Sequence, residues 1–316
     1  MQKTDLLSEV FSTLRISSDI YFRTRFSGSY AVAIPEEKRR IRFHIVLKGT
    51  CWLCMPNGTN ILLSEGDIAL VPNGVSQKIQ AIPELKAINL SELLSNGSLD
   101  NGMLKIGSGE DATSLLCGFC QFDETLDHPI VSVLPDFIHL RHEDLQSSPW
   151  LITAMKLISL EANLNNQGST AVINRLIEII LIQTIRQMAN DNKQPYNGFL
   201  NALLDSSLSK AIFAIHAHPE EKWRVEDLAK LAGMSRASFA KKFQSEIGKP
   251  PIDYLRDWRL LHARQLLNNT SDSLDEIATK CGYESLPSFS KLFKRKFKIG
   301  PSAYRKLDTN SQMNLD

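Results

Sequence analysis

No uninterrupted apolar run in this chain approaches the roughly 20 residues that a helix needs to cross a bilayer. The most apolar stretch, Ala171 to Ile185, is broken by Asn174, Arg175 and Glu178. Residues 1–18 carry acids and lack a continuous apolar centre, so they do not read as a secretory leader. A cytoplasmic protein with no membrane contact is expected. An excess of one charge is missing too, since 36 Lys and Arg stand against 35 Asp and Glu. Histidine is sparse and scattered. His44 stands alone, His139 and His142 lie beside Arg141, and His216 and His218 precede Pro219. An open transition-metal centre needs clustered imidazoles. Solvated surface is therefore expected for His139 and His142, and no bound metal or cofactor is expected.

The near-neutral total conceals an asymmetry. Residues 205–308 hold 19 Lys or Arg against 13 Asp or Glu, whereas residues 1–204 hold 17 against 21. A basic module following an acidic one suits a nucleic-acid binder with a separate regulatory part. At 316 residues the chain is long enough for two domains.

The basic part contains one pattern twice. In WRVEDLAKLAGMSRASFAKKF, Leu228-Ala229 is followed by Gly233, then by Phe239 and Phe243. Further on, Ile277-Ala278 is followed by Cys281-Gly282-Tyr283, then by Phe289 and Phe293. Each copy predicts a short helix, a glycine turn and a second helix with an aromatic pair at i, i+4. Ser235 and Ser285 are placed to cap the second helices, and Ser273 with Glu276 forms a capping box. Arg224 occupies the cap position of the first unit, where a lost cap costs about 1 kcal/mol. With Phe239, Phe243 and Ile247 turned inward, residues 236, 237, 240, 241 and 244 face outward. That outer face is slim and basic, suited to a DNA major groove.

Two such units in tandem, joined by KPPIDYLRDWRLLHARQLL and followed by IATKCGYESLPSFSKLFKRKFKIGPSAYR, resemble the DNA-binding domain of the AraC/XylS family of bacterial transcription regulators. The resemblance implies two recognition helices entering successive major grooves, about 34 Å apart. It implies base-edge contacts from Arg236, Ala237, Ala240 and Lys241 in the first unit. In the second it implies Leu286, Ser288, Ser290 and Lys291. Lys242, Lys294, Arg295, Lys296 and Lys298 are candidates for phosphate. The second set of readers is chemically weak and leans on phosphate contact and DNA shape. Pro287 is tolerated in the first helical turn but removes one amide donor. Implied partners are double-stranded promoter DNA, RNA polymerase, an effector and a second copy of the chain.

The front part reads as short strands from Ile20 to about Phe122. Ile41–Leu47, Cys51–Met55, Asn60–Leu63 and Ile68–Val71 are separated by Gly, Pro and Asn turns, which predicts an antiparallel sandwich or barrel. The segment FHIVLKGTCWLCMPNGTNILLSEGDIALVPNG resembles the cupin-like sensory domain of one branch of the same family. Later in the chain, SLLCGFCQF and PWLITAMKLISLEA fit that branch as well. A metal-binding cupin clusters its His ligands, whereas here His44 is isolated and Gln77 stands where the branch often has a further His. His44 is expected to be a barrel residue with a satisfied hydrogen bond. The pairs Cys51/Cys54 and Cys117/Cys120 have C-x-x-C spacing, but three residues along a strand reverses the face. They remain open to three readings: inert apolar residues, a redox switch, or metal ligands. Cys281 is expected to be packing.

The expected organisation is α+β and multidomain. A cupin-like antiparallel β-barrel spans 1–130, beginning with an amphipathic helix over residues 1–15. A helical connector spans 131–198, with helices at Trp150–Leu164 and Ala171–Asn190 and a linker at 191–198. The all-α tandem helix-turn-helix domain spans 199–308, opening with a helix over Leu203–Ala217, and 309–316 form a tail. The helix from Ala171 is apolar on more than one side, which suits either core or a dimer seam. The leading function is a sequence-specific transcription regulator governed by a small molecule or an oxidant. Two others compete: a cupin-type metalloenzyme with a DNA-binding appendage, and a protein-interaction module.

Overall fold

The computed structural model describes residues 16–37, 40–96, 99–100, 102–109, 112–121, 134–143, 149–164, 166–190 and 198–306, with Ser8, Val10 and Phe11. The expected linker (apart from Gly198), the tail and most of the first helix lie outside the described residues. The chain divides into two compact units, one holding the described residues from 16 to 185 and the other Ser8, Val10, Phe11 and the described residues from 186 on.

The first unit is built from strands β1 (Ser17–Ser27), β2 (Ala31–Ile34), β3 (Arg40–Lys48), β4 (Thr50–Cys54), β5 (Asn60–Ser64) and β6 (Ile68–Val71). It continues with β7 (Gln77–Gln80), β8 (Ile88–Asn89), β9 (Leu99–Asp100), β10 (Met103–Ile106), β11 (Ala112–Gln121) and β12 (Ile138–Leu140). Two sheets result, ordered β12-β6-β3-β11-β1-β10-β9 and β5-β4-β7-β2-β8. Their facing sides bury Phe22, Phe26, Val32, Val46, Leu53, Leu63, Ile79 and Leu115 in one core. The period-2 pattern of β1, with Phe22, Thr24 and Phe26 buried, is the local cause of that facing.

The cupin-like fold class holds, with two refinements. The strands divide between two sheets instead of joining in one ring. Among the described residues pairing is antiparallel except for β1 with β10 and β2 with β8, which run parallel. A short helix, α1 (Leu90–Ser95), follows β8.

Two longer helices, α2 (Pro149–Leu164) and α3 (Ser169–Asn190), match the expected pair closely. They are tied to β1, where the Arg23 guanidinium donates to the Ala162 carbonyl and the Ser18 hydroxyl to Asn174. Ile173, Ile177, Ile180, Leu181 and Ile185 of α3 are buried, while Val172 and Ile179 stay exposed. Leu157, Leu160 and Leu164 make an exposed apolar stripe on α2.

The second unit is helical: α4 (Phe199–Leu204), α5 (Leu208–Ala217), α6 (Val225–Leu231), α7 (Arg236–Ile247), α8 (Pro251–Asn269), α9 (Leu274–Lys280) and α10 (Leu286–Phe297). The single helix expected over Leu203–Ala217 is in fact two. The Asp205 carboxylate accepts the backbone N–H of Ser207 and of Leu208, each at 2.9 Å. That bond offers the chain a turn in place of another helical residue, and starts α5 afresh.

Candidate nucleic-acid interface

The two glycine turns are built alike. Met234 donates its amide to Ala229 and Gly233 to Lys230, at 2.9 and 3.0 Å. In the second copy Tyr283 donates to Ala278 and Gly282 to Thr279, both at 2.9 Å. Each is a helix C-terminus closed by a left-handed glycine, Gly233 at φ 66° and Gly282 at φ 72°. The second turn holds one extra residue, Glu284.

The glycines differ in their surroundings. A Cβ on Gly233 meets nothing within 4 Å, whereas one on Gly282 lies 2.8 Å from the Glu220 carbonyl and 2.6 Å from the Arg259 guanidinium. Gly233→Ala should therefore cost only the left-handed penalty, about 1–2 kcal/mol. Gly282→Ala should cost roughly 1–3 kcal/mol more from overpacking. Urea unfolding of the two variants checks this, and equal midpoints would contradict it.

Ser235 and Ser285 cap α7 and α10 by accepting the amides of Ser238 and Ser288. Ser273 and Glu276 complete their box at the start of α9. Arg224 supplies no side-chain cap, but Asp227 accepts the Arg224 amide at 3.3 Å and so recovers part of the loss.

Behind the turns, Phe239, Phe243, Phe289 and Phe293 are all fully buried. Rings pack at 5.5 Å within each pair, and Phe243 meets Tyr254 of α8 edge-on at 5.7 Å. Helix α8 is the frame for both units. Trp258 stacks on His216 at 3.5 Å, His216 Nε2 bonds the Tyr254 hydroxyl at 2.8 Å, and Arg264 lies over Phe297.

Asp257 of α8 takes Lys249 at 2.7 Å and Lys296 at 3.1 Å, so one carboxylate links the end of the first unit to the last turn of the second. Burial opposes its charge, but the two lysines outweigh it and hold the Asp257 carboxyl below its ordinary value. No local pattern announces this clamp.

With the aromatics inward, Arg236, Ala237 and Lys241 are exposed on α7, and Ser288, Lys291, Lys294 and Arg295 on α10. Ala240, Leu286 and Ser290 are half-buried at the margins. Arg236 is paired with Glu226 at 3.0 Å on the surface. Lys298 is exposed and ends α10 in the left-handed conformation, where the first copy has Gly248. Two phosphate candidates are occupied elsewhere. Lys242 pairs with Asp205, and Lys296 is drawn to Asp257.

In the β unit His44 is buried, with Nε2 2.8 Å from Gln77 Nε2 and Nδ1 3.2 Å from Cys117 Sγ. Burial, with Arg42 nearby, pushes its pKa down to about 3, so the ring is neutral. One ring nitrogen therefore accepts and the other donates. Solvated surface was expected for His139, yet it is mostly buried and 2.9 Å from Asp67 Oδ2. Pairing of β12 with β6 brings His139 opposite Ala69, next to Asp67. All five cysteines are free and buried. Burial raises the Cys51 thiol to about 12 and pushes Cys117 and Cys120 up as well. Among the described residues no group of three or more His, Cys, Asp or Glu could hold a metal ion. Nor, among them, is any helix long and apolar enough to cross a membrane.

A β-sandwich unit in one chain with paired helix-turn-helix readers is the build of a DNA-binding transcription regulator. A family model described as "Cupin" matches residues 5–190, and one described as "Helix-turn-helix domain" matches residues 228–307. The chain is 31% identical to the HTH-type transcriptional regulator AlkR of Acinetobacter baylyi, over 95% of this chain and 99% of that one. It is 29% identical to an HTH-type transcriptional regulator of Haemophilus influenzae, over 96% and 98%. With the HTH-type transcriptional regulator MtrA of Neisseria gonorrhoeae it shares 26% identity over 96% and 98%. This chain belongs to the AraC-type family of helix-turn-helix transcriptional regulators that carry an N-terminal cupin domain.

Proposed function

We propose that this protein regulates transcription by setting α7 and α10 into adjacent major grooves of a promoter, under the control of a small molecule held by the β-sandwich. The observation that carries the reading is the repeated exposed face. Lys241 and Lys291 each follow a buried aromatic by two residues, at equivalent places in two capped helices. Arg236, Ala237, Ala240 and Lys241 are the base-reading set of the first unit, and Leu286, Ser288, Ser290 and Lys291 that of the second. Phosphate contact falls to Lys294, Arg295 and Lys298. Lys242 and Lys296, already paired with carboxylates, serve the domain's own packing. Arg236 exchanges Glu226 for DNA on binding.

The functional parts on this reading are a sensor over 1–130, a connector over 131–198 and a DNA-binding domain over 199–308. Partners are double-stranded promoter DNA, RNA polymerase and, through the exposed stripe of α2, a second copy of the chain. Burial holds Cys51, Cys117 and Cys120 as thiols, which favours a small-molecule trigger over an oxidant. The protein acts through binding.

Binding to a promoter fragment should weaken steeply with salt. Lys241→Ala should cost about 1–3 kcal/mol and relax specificity at one base pair. Lys294→Ala should weaken all sequences alike and lower the salt slope by about 1. Gel-shift titrations on promoter and random DNA at several salt concentrations test this. Equal losses on both DNAs for Lys241→Ala would remove its base-reading role.

A further inference from the structure

The β unit holds a cavity of about 320 Å³ bounded by β1, β2, β3 and α1. Phe22, Ile34, Leu90 and Leu94 give it an apolar wall, and Leu94 is exposed at its mouth. Its polar lining residues are Tyr21, Glu37, Arg42 and Ser91. Alternation along β3 puts Arg42 on the same side as Val46, and Val46, Phe22 and Ile34 all belong to the core between the sheets. Arg42 and the apolar wall therefore share one space.

Arg42 is 1% exposed. Its guanidinium donates to the Pro35 carbonyl and, at 3.4 Å, to that of Val75, and it meets Glu37 Oε2 at 3.2 Å. Its Nε is buried with no hydrogen-bond partner. Arg40 takes Glu37 Oε1 at 2.7 Å, and the Tyr21 hydroxyl donates to the same carboxylate. Burial opposes charge on Glu37, but Tyr21, Arg42 and Arg40 outweigh it and hold the carboxyl below its ordinary value. One carboxylate thus stands against two guanidiniums. Among the described residues Arg42 pairs with no other carboxylate. The Arg40 side chain is 30% exposed and can be solvated, so the uncompensated positive charge weighs on Arg42, where burial makes it costly. His44, two residues along the same face, registers that charge: after burial, Arg42 is the second cause of its lowered pKa.

We infer that this cavity is a binding site for a small monocarboxylate with a compact apolar body, its carboxylate received by Arg42 and its body laid against Phe22, Ile34, Leu90 and Leu94. One negative charge balances the excess positive one, and a carboxylate oxygen is the acceptor that Nε lacks. The volume lies at the lower end of the range for small-molecule sites, which suits a ring or a short branched body. A cation or a hydrocarbon leaves both deficits in place. The inference rests on the effector reading above only in naming what such a molecule would do once bound.

The test uses the full-length protein without DNA at pH 7, and three probes of one shape: cyclohexanecarboxylate, its neutral amide cyclohexanecarboxamide, and the cation cyclohexylmethylammonium. Ligand-observed NMR titration should place the carboxylate at least about tenfold tighter than the amide, and the cation weakest, as expected for a charge-assisted bond to a buried donor. Saturating carboxylate should move the Arg42 Nε–H resonance. Arg42 also supports the fold, so the variants are made at exposed Leu94 instead. Leu94→Glu should bind the carboxylate about two- to fivefold more weakly than Leu94→Gln does, with the amide unaffected by the choice. Equal affinity for carboxylate and amide overturns the proposal on the unaltered protein alone. So does an Arg42 Nε–H indifferent to saturating carboxylate, or a Leu94→Glu protein that loses carboxylate and amide alike. If the carboxylate binds as expected but no carboxylate alters promoter affinity, the site stands and the effector reading falls. If a neutral molecule alters promoter affinity while the carboxylate binds no better than the amide, the site falls and the effector reading stands.

Discussion

Replacing Phe243 with alanine is expected to cost about 3–5 kcal/mol and to abolish promoter binding at 37 °C. Phe243 is fully buried between Phe239 and Tyr254. Its removal leaves a cavity where α7 meets the frame helix. Through Tyr254 the loss reaches His216 and the Trp258 stack, which seat α5 against α8. A domain of this size has a total stability on the order of 5–15 kcal/mol, so the change takes a large share of it. The helical unit's melting transition should fall by roughly 12–40 °C, at 4–8 °C per kcal/mol for about 100 residues. Lys241→Ala, by contrast, should lose affinity with the transition unmoved. Were Phe243→Ala to melt like the parent, the inward aromatics would not be what holds the reader helix in place.

Acidification from pH 7 to pH 4 is expected to remove about 3 kcal/mol from the β-sandwich through His44 alone. Unfolded, the imidazole takes a proton near pH 6.5, while in the fold it does so only at about 3. Between those values the unfolded chain binds more protons. The stabilisation of the neutral ring is therefore complete above pH 6.5 and lost progressively as pH falls towards 3. Glu37 in the same unit, and Asp205 and Asp257 in the helical unit, have lowered pKa values and lose stability in the same direction. A double difference isolates the ring. His44→Gln should be less stable than the parent at pH 7, and its deficit should shrink by about 3 kcal/mol at pH 4. Urea midpoints at the two pH values measure this, and parallel pH profiles would show that His44 is not the titrating group.

Several features could be read from the chain because their causes are local. The four strands between Ile41 and Val71 were legible as short runs at close spacing, separated by Gly, Pro and Asn turns. Both helix-turn-helix units were legible because a left-handed glycine, a serine cap and an i, i+4 aromatic pair are all set within about 20 residues. The break before α5 was hidden, although its agent, Asp205, stands in plain view. An aspartate reads as a cap or a helix residue equally well until its bonds are known. His139 was misjudged for a similar reason. Only the register of β12 on β6 brings it to Asp67 and out of solvent.

The sequence by itself determined that a basic pair of helix-turn-helix units follows a cupin-like β domain, since helix faces, turns and short strand runs depend on near neighbours. Tertiary structure decided which charges are free to act. Lys241 and Lys242 are adjacent and alike, yet only Lys242 is paired with Asp205, 37 residues away. Lys296 is likewise claimed by Asp257 while Lys294 stays exposed. The chain Gln77–His44–Cys117 spans two sheets and leaves the Gln77 amide oxygen buried without a protein partner. Such partners are chosen by packing between distant segments, so no periodicity in the chain encodes them.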